Sequence, residues 1–150
     1  MAWTNRGAFL LLKWAIRQDA PPANLYLALC TSATAPTKDT NTLSQLTEIA
    51  AGNGYTAGGQ SLTPGATDFD TLTEDDANDW TEVYLKDVTW TASGGPIPAS
   101  GSGARYVVLL TDEGTVGNRQ VICWWELPAD WSVTSGQNLV VKDLGQRLAA

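Results

Sequence analysis

The sequence predicts a mainly-β domain, folded as a sandwich or jelly-roll-like arrangement of antiparallel sheets with one N-terminal helix and a short second helical turn. Apolar runs of strand length recur through the C-terminal half, glycine-rich turns separate them, and the one long helical pattern lies at the N-terminus. A chain of 150 residues suits a single domain. We divide it into an N-terminal helix or arm (1–20), a β domain (24–143) and a tail (144–150).

The N-terminal helix is predicted over residues 5–17, with Thr4 as its cap and a proline pair after its end. Its apolar residues cover almost the whole circumference, which is typical of a helix buried on more than one side. Such a helix is either sunk in its own core or packed between its own sheet and a neighbouring subunit. One apolar face consists of Phe9, Leu12 and Ile16, and a narrow basic stripe consists of Arg6, Lys13 and Arg17.

The first long strand is predicted over residues 24–31, where both alternating sets of side chains are apolar, as in a central strand. Leucine and isoleucine at a spacing of three then indicate a short helical turn within 42–50. The segment 52–60 is rich in Gly and Asn, which predicts irregular structure with positive φ angles. It lacks the Gly-Lys-Ser/Thr ending of a phosphate-binding loop.

Residues 68–79 carry six of the sixteen acidic residues of the chain. Their spacing does not fit an EF-hand calcium loop, because the required Asp/Asn, Gly and Glu positions are not filled. We expect a solvated acidic loop, suited to face the basic stripe of a partner subunit. A looser cation site with oxygen ligands is the alternative.

The remaining C-terminal half is predicted to be almost entirely β structure. An alternating run from Val83 to Trp90 changes phase at Lys86 and Asp87, as it does at a β-bulge. Residues 94–103 are expected to form a long flexible turn. Further strands are predicted at 105–111, 119–127, 131–133 and 139–142.

Seven tryptophans are a high count for a chain of this length. Trp14, Trp90 and one member of the pair Trp124/Trp125 are assigned to the core. Because adjacent strand residues face opposite sides, the other member must face a second layer, a partner or solvent. Tryptophan and arginine are typical interface residues, so we predict a protein interface. Its candidate residues are Trp3, Arg6, Phe9, Lys13, Trp14, Arg17, Trp124, Trp125 and Trp131.

The composition argues against several classes of function. There is no histidine, which removes the commonest general base and the commonest transition-metal ligand. No zinc, P-loop or dinucleotide motif is present, so we predict no catalytic residue, no cofactor and no metal site. The net charge of −7 and the nine scattered Lys and Arg residues argue against binding to nucleic acid or to an anionic membrane surface.

The two cysteines, Cys30 and Cys123, both lie within apolar runs of strand character. We predict two buried free thiols that act as small hydrophobic side chains. A disulfide between two strands is the alternative, which one cysteine pair without a secretory signal supports weakly.

Five segments resemble small virion proteins of tailed bacteriophages. Residues 4–12 (TNRGAFLLL) and 24–32 (NLYLALCTS) are similar to their short helix and the N-L-Y-v-A-L-x-T-s strand that follows it. Residues 46–55 (LTEIAAGNGY) resemble their E-i-x-x-G-x-G-Y stretch, and 90–98 and 104–109 continue the likeness. The resemblance spans most of the chain, and its motifs are structural rather than catalytic.

The resemblance implies a capsid decoration (cement) protein on the phage head surface. Its expected partners are further copies of itself, often as a trimer, and the major capsid protein, which it holds against internal pressure. A tail, neck or fibre-associated phage protein is the first alternative. A carbohydrate-binding module with exposed tryptophans is the second, and comes from a different functional class.

Overall fold

The computed structural model describes residues 2–149. Within that range, every pairing between the strands is antiparallel. The predicted mainly-β fold with one N-terminal helix and a short second helical turn is therefore confirmed. The second turn is the 3₁₀ segment Leu43–Gln45, and another 3₁₀ segment covers Val116–Asn118. The remaining elements are β1 (Ala2–Trp3), α1 (Asn5–Ala15), β2 (Leu25–Cys30), β3 (Gln60–Leu62), β4 (Thr71–Asp75), β5 (Trp80–Tyr84), β6 (Val88–Thr91), β7 (Ala104–Leu110), β8 (Val121–Trp131), β9 (Asn138–Val141) and β10 (Gly145–Ala149).

The strands form three sheets. The largest has the order β1-β8-β7-β2-β3, the second has the order β10-β5-β4, and the third is the pair β6-β9. β2 lies between β7 and β3, as expected for a strand whose two faces are both apolar. The five-stranded sheet therefore provides the centre on which the other elements pack.

Two apolar clusters cover the two faces of the five-stranded sheet. Leu25, Leu27 and Leu29 of β2 point into the larger cluster, the main core, whereas Ala28 and Cys30 point into the smaller one, the second core. Across the main core the sheet packs against the β6-β9 pair, which gives the layered arrangement of a sandwich. The β6-β9 pair contributes Val88, Trp90, Leu139 and Val141, and the second core is completed by Leu43, Val108, Leu110 and Val121.

The start of α1 is attached to the five-stranded sheet at a β-bulge in β8. Leu109 pairs with Cys123 but the next residue, Leu110, pairs with Val121, so Ile122 is the extra residue. The carbonyls of Val121 and Ile122 accept hydrogen bonds from the Thr4 hydroxyl, the former at 2.5 Å. Thr4 also accepts from the Gly7 amide at 2.7 Å, which confirms it as the helix cap. One side chain thus fixes both the start of α1 and its place on β8.

The acidic segment 68–79 is largely exposed to solvent, as predicted, but it is not a loop. Thr71–Asp75 pairs with Trp80–Tyr84, so most of the segment forms the β4-β5 hairpin. Asp68 is buried, pairs with the Lys86 ammonium and accepts a hydrogen bond from the Thr63 amide at 2.7 Å. The many acidic residues have low strand propensity, and pairing with neighbouring strands overrides it.

The predicted bulge at Lys86 and Asp87 is also wrong. These residues separate β5 from β6, which belong to different sheets. The phase of the apolar pattern changes there because the chain leaves one sheet and enters another. The turn predicted at 94–103 is present. It is anchored at Ile97, which is fully buried and exchanges two backbone hydrogen bonds with Val133.

Two predicted boundaries need correction. The segment 144–150 is not a tail beyond the β domain, since β10 occupies residues 145–149 and pairs with β5 along its whole length. α1 ends at Ala15 rather than at Arg17, and the chain turns through a left-handed residue, Gln18, at φ 58°. Positions 1 and 150 of the predicted arm and tail lie outside the described residues.

Candidate interaction surfaces

α1 is buried on one side only. Gly7 and Leu10 face the sheet, and a Cβ atom at Gly7 would lie 2.0 Å from the Ile122 carbonyl oxygen, so the helix touches β8 at van der Waals distance. The opposite face, which we name the helix face, consists of Phe9, Leu12 and Ile16 and is 49%, 63% and 74% exposed. Of the two interpretations of this helix, burial within its own core is therefore excluded.

The basic stripe borders the helix face. The Arg6 guanidinium lies over the Phe9 ring, 5.5 Å from its centroid. Lys13 approaches Asp19 at 3.7 Å, but both groups are well exposed and such a pair contributes little to stability. Arg17 is exposed just beyond the helix end. The stripe thus supplies positive charge along one edge of an apolar surface.

The predicted tryptophans at the N-terminus contact the chain's own core. Trp3 is partly buried against the main core, and its indole N–H donates to the Arg147 carbonyl at 2.7 Å. Trp14 is also partly buried against the main core. Their contact with a neighbouring subunit stays a prediction, whereas Phe9 and the basic stripe lie on the outer surface.

Trp124 and Trp125 face opposite sides of β8, as predicted. Trp125 is buried in the main core and donates its indole N–H to the Gly145 carbonyl at 2.7 Å. Trp124 packs, partly buried, against the second core. Of the three alternatives for the other member of the pair, a second layer, a partner or solvent, the structure shows a second layer, namely the second core on the far side of the sheet.

Trp131 is 47% exposed and lines a shallow apolar groove of about 90 Å³. Leu127 and Pro128 precede it on β8, and residues of β9 form the other wall. Of the predicted interface tryptophans, Trp131 is the most accessible. A stacking platform for a sugar ring or a contact site for an apolar side chain both fit such a groove.

A second exposed apolar surface was not predicted from the sequence. Leu72 of β4 lies opposite Val83 of β5, and Leu148 of β10 lies on the same face, opposite Thr81. Leu72 is 74% exposed and Leu148 is 55% exposed. Glu74 is also on this face because it pairs with Thr81. We name Leu72, Val83, Leu148 and Glu74 the hairpin face. These residues come together only if both 71–75 and 145–149 are assigned as strands.

The turn of the hairpin concentrates negative charge. Its carboxylates, which we name the acidic tip, belong to Glu74, Asp75, Asp76 and Asp79. Asp75 shapes the turn by accepting hydrogen bonds from the Ala77 and Asn78 amides at 3.1 and 3.2 Å. Within residues 2–149, no group of three or more Cys, Asp or Glu side chains is arranged to hold a metal ion.

A buried polar network ties the glycine-rich segment to the central sheet. The Glu48 carboxylate accepts hydrogen bonds from the Tyr55 hydroxyl at 2.7 Å and from the Gly58 amide at 2.6 Å. The Leu29 amide of β2 donates to the Tyr55 hydroxyl, and Arg119 donates to the Gly58 carbonyl at 2.7 Å. Burial raises the pKa of Glu48, although its hydrogen bonds oppose the shift. These partners all belong to the fold, so the network supports a structural role.

Both cysteines are buried free thiols, as predicted. Cys30 lies in the second core and Cys123 in the main core, so the sheet itself separates them. Burial, reinforced by the nearby Glu48 charge, raises the pKa of Cys30 to about 12. Burial likewise raises the pKa of Cys123. Neither thiol is in an environment that favours the reactive thiolate.

Comparisons of the chain with protein-family models, curated proteins and solved structures found no match. No helix in the described part of the chain is long and apolar enough to cross a membrane. The function is therefore proposed from the chain's own surfaces and from the sequence resemblance described above.

Proposed function

We propose that this protein is a non-enzymatic structural subunit of a tailed-phage virion, a decoration protein that binds the outer head shell and stabilises it. The observation that carries the proposal is the exposure of large apolar side chains on rigid elements. The helix face, the hairpin face and Trp131 lie on α1, on paired strands and on β8. A chain that works alone more often carries polar residues at such positions.

The interior of the fold supports an assembling rather than a catalytic role. The carboxyl groups with shifted pKa values, Glu48 and Asp68, are each held by hydrogen bonds within the chain. The absence of histidine removes the usual partner of a serine or cysteine nucleophile. Catalytic machinery is therefore not needed to explain any described group.

The proposed mechanism is burial of apolar area at subunit boundaries. Each large apolar side chain that becomes fully buried contributes about 1.5–3 kcal/mol before ordering costs. Many copies on one particle repeat the contact, so a modest affinity per copy gives stable attachment through avidity. The low proportion of charged residues in the chain, 17%, favours such contacts.

The test is the number of copies in purified virions. We expect an abundance of the same order as the major capsid protein, measured by quantitative mass spectrometry against isotope-labelled peptides of both chains. Purified protein should also bind expanded heads and should not bind isolated tails of the same phage. A few copies per particle, or binding to tails alone, would contradict the decoration role and favour the tail, neck or fibre-associated alternative.

Trp131 and its groove favour carbohydrate binding as a second candidate function. An indole that is half exposed beside an apolar wall can stack on a sugar ring. Host polysaccharide would then shift the tryptophan fluorescence of the wild type but not of Trp131→Ala. An unchanged wild-type spectrum with every host glycan would remove this candidate.

A further inference from the structure

The helix face and the hairpin face carry opposite charge beside exposed apolar side chains. The helix face is bordered by Arg6, Lys13 and Arg17, and the Arg6 guanidinium lies directly over Phe9. Within residues 2–149, neither Arg6 nor Arg17 forms an ion pair with a carboxylate of its own chain. Both guanidinium groups are therefore available to a carboxylate of another molecule.

The hairpin face has the complementary pattern. Leu72 and Val83 form a cross-strand apolar pair, and Glu74 follows Leu72 on the same face of β4. Arg147 of β10 supplies the positive charge within the strands of this sheet. It lies on the opposite face, where it pairs with Glu82 at 2.7 Å and stacks on Trp80. Among residues 2–149, no Lys or Arg side chain forms an ion pair with a carboxylate of the acidic tip.

We propose that the helix face of one copy packs on the hairpin face of a second copy, with the basic stripe against the acidic tip. The apolar side chains supply the affinity, and the charges select the pairing. Contact between two helix faces, or between two hairpin faces, brings like charges together and is disfavoured. This selection matters for a chain whose net charge of −7 makes copies repel one another at long range.

The pairing joins two different surfaces of the chain, so it is heterologous. Each copy offers its helix face to one neighbour and its hairpin face to the next, which closes into a ring or extends into a chain; two copies that exchange both faces form a dimer. The inference rests on the proposed function for the expectation that copies meet in a particle. It is tested on the purified chain, without the particle.

The test uses charge reversal on either face and on both together. The helix variant carries Arg6→Glu and Arg17→Glu, and the hairpin variant carries Glu74→Lys and Asp76→Lys. Sedimentation velocity and light scattering at low salt should show oligomers for the wild type. Each variant alone should self-associate about tenfold or more weakly, because like charges then face each other.

The chain that combines all four substitutions should regain self-association, because its reversed faces are again complementary. It should not associate with the wild type, since mixed contacts pair like charges. Control variants that shift the net charge in the same direction, by two units instead of four, place two new Lys or two new Glu residues at Ser100 and Ser102, which are exposed in the loop before β7. These controls should self-associate like the wild type, and circular dichroism should show that every variant is folded.

Three results would overturn the pairing: a wild-type chain that stays monomeric at low salt, single-face variants that associate normally, or a combined variant that does not recover. None of them changes the copy number of the protein in virions, which tests the proposed function separately. If the protein is bound to particles but monomeric in solution, the decoration role stands and the proposed contact between copies is wrong.

Discussion

The partly buried environment of Glu48 raises the free energy of its negatively charged form. Glu48 lies within hydrogen-bonding distance of a tyrosine hydroxyl and a backbone amide, in a partly buried position that raises its pKa. The folded chain therefore holds this proton more tightly than the unfolded chain does. The resulting stabilisation is fully present below the ordinary pKa of 4.5 and is lost as the pH rises through the raised value.

Replacing Glu48 by Gln should remove this pH dependence. The amide oxygen of Gln can still accept hydrogen bonds from the Tyr55 hydroxyl and the Gly58 amide, but it carries no charge to desolvate. The melting temperature of Glu48→Gln relative to the wild type should therefore rise between about pH 4 and pH 8. Thermal unfolding by circular dichroism across that range measures the difference.

The matched control is Glu126→Gln, which removes a carboxylate that is exposed and paired with Arg105. It should show no comparable rise with pH. A difference between Glu48→Gln and the wild type that is constant, or that falls as the pH rises, would mean that the hydrogen bonds and the charge of Arg119 outweigh the burial of Glu48.

Residues whose own side chain determines their local structure could be predicted from the sequence. Thr4 is predicted as a cap because a Thr hydroxyl just before a helix can accept a hydrogen bond from an amide of the first turn. Strand geometry alone places Trp124 and Trp125 on opposite faces. Glu48 could not be predicted in the same way. Its partners Tyr55, Gly58 and Arg119 meet it only through the tertiary fold.

At the scale of elements, strands that are apolar on both faces could be predicted, and strands stabilised by their neighbours could not. β2 and β7 lie within one residue of their predicted limits. β4 and β10 were missed because their sequences, TLTED and GQRLA, are polar and carry little strand signal. Each of them is defined by pairing with β5. The hairpin face was missed for the same reason.

β10 shows how the free edge of such a strand is satisfied. On the side away from β5, the Gly145 carbonyl accepts from the Trp125 indole and the Arg147 carbonyl accepts from the Trp3 indole, both at 2.7 Å. Two tryptophan N–H groups of the five-stranded sheet thus take the place of a neighbouring strand. The three-stranded sheet is fixed to the main core through them.

Removing these donors should release β10 from the core. Trp125→Phe leaves a buried carbonyl without its donor and also reduces the packed volume, so we expect a loss of about 1–3 kcal/mol in the free energy of unfolding. Trp3→Phe should cost less, because the Arg147 carbonyl is near solvent. Urea unfolding followed by circular dichroism measures both losses.

Trp131→Phe is the matched control for these variants, since Trp131 is half exposed on the outer surface. It should change the free energy of unfolding by less than either core variant. If Trp125→Phe were no more destabilising than Trp131→Phe, the indole hydrogen bond to Gly145 would not contribute to stability.

At the scale of the whole molecule, one sheet carries two cores. β2, β7 and β8 each send alternate side chains into the main core and into the second core. Neither core can lose its packing without disturbing the strands that also line the other one. The chain should therefore unfold in a single cooperative transition, despite having apolar clusters on both faces of the sheet.

The two cysteines report on the two cores separately. Cys30 lies in the second core and Cys123 in the main core, and burial suppresses the thiolate form of both. Pulsed alkylation at increasing urea, read by mass spectrometry, should label both thiols over the same range of urea concentration. Single variants Cys30→Ala and Cys123→Ala identify each site and show that labelling of one does not depend on the other. Labelling of Cys30 at clearly lower urea would mean that the second core opens by itself, so that the 3₁₀ segments covering it form an independent unit rather than part of one cooperative fold.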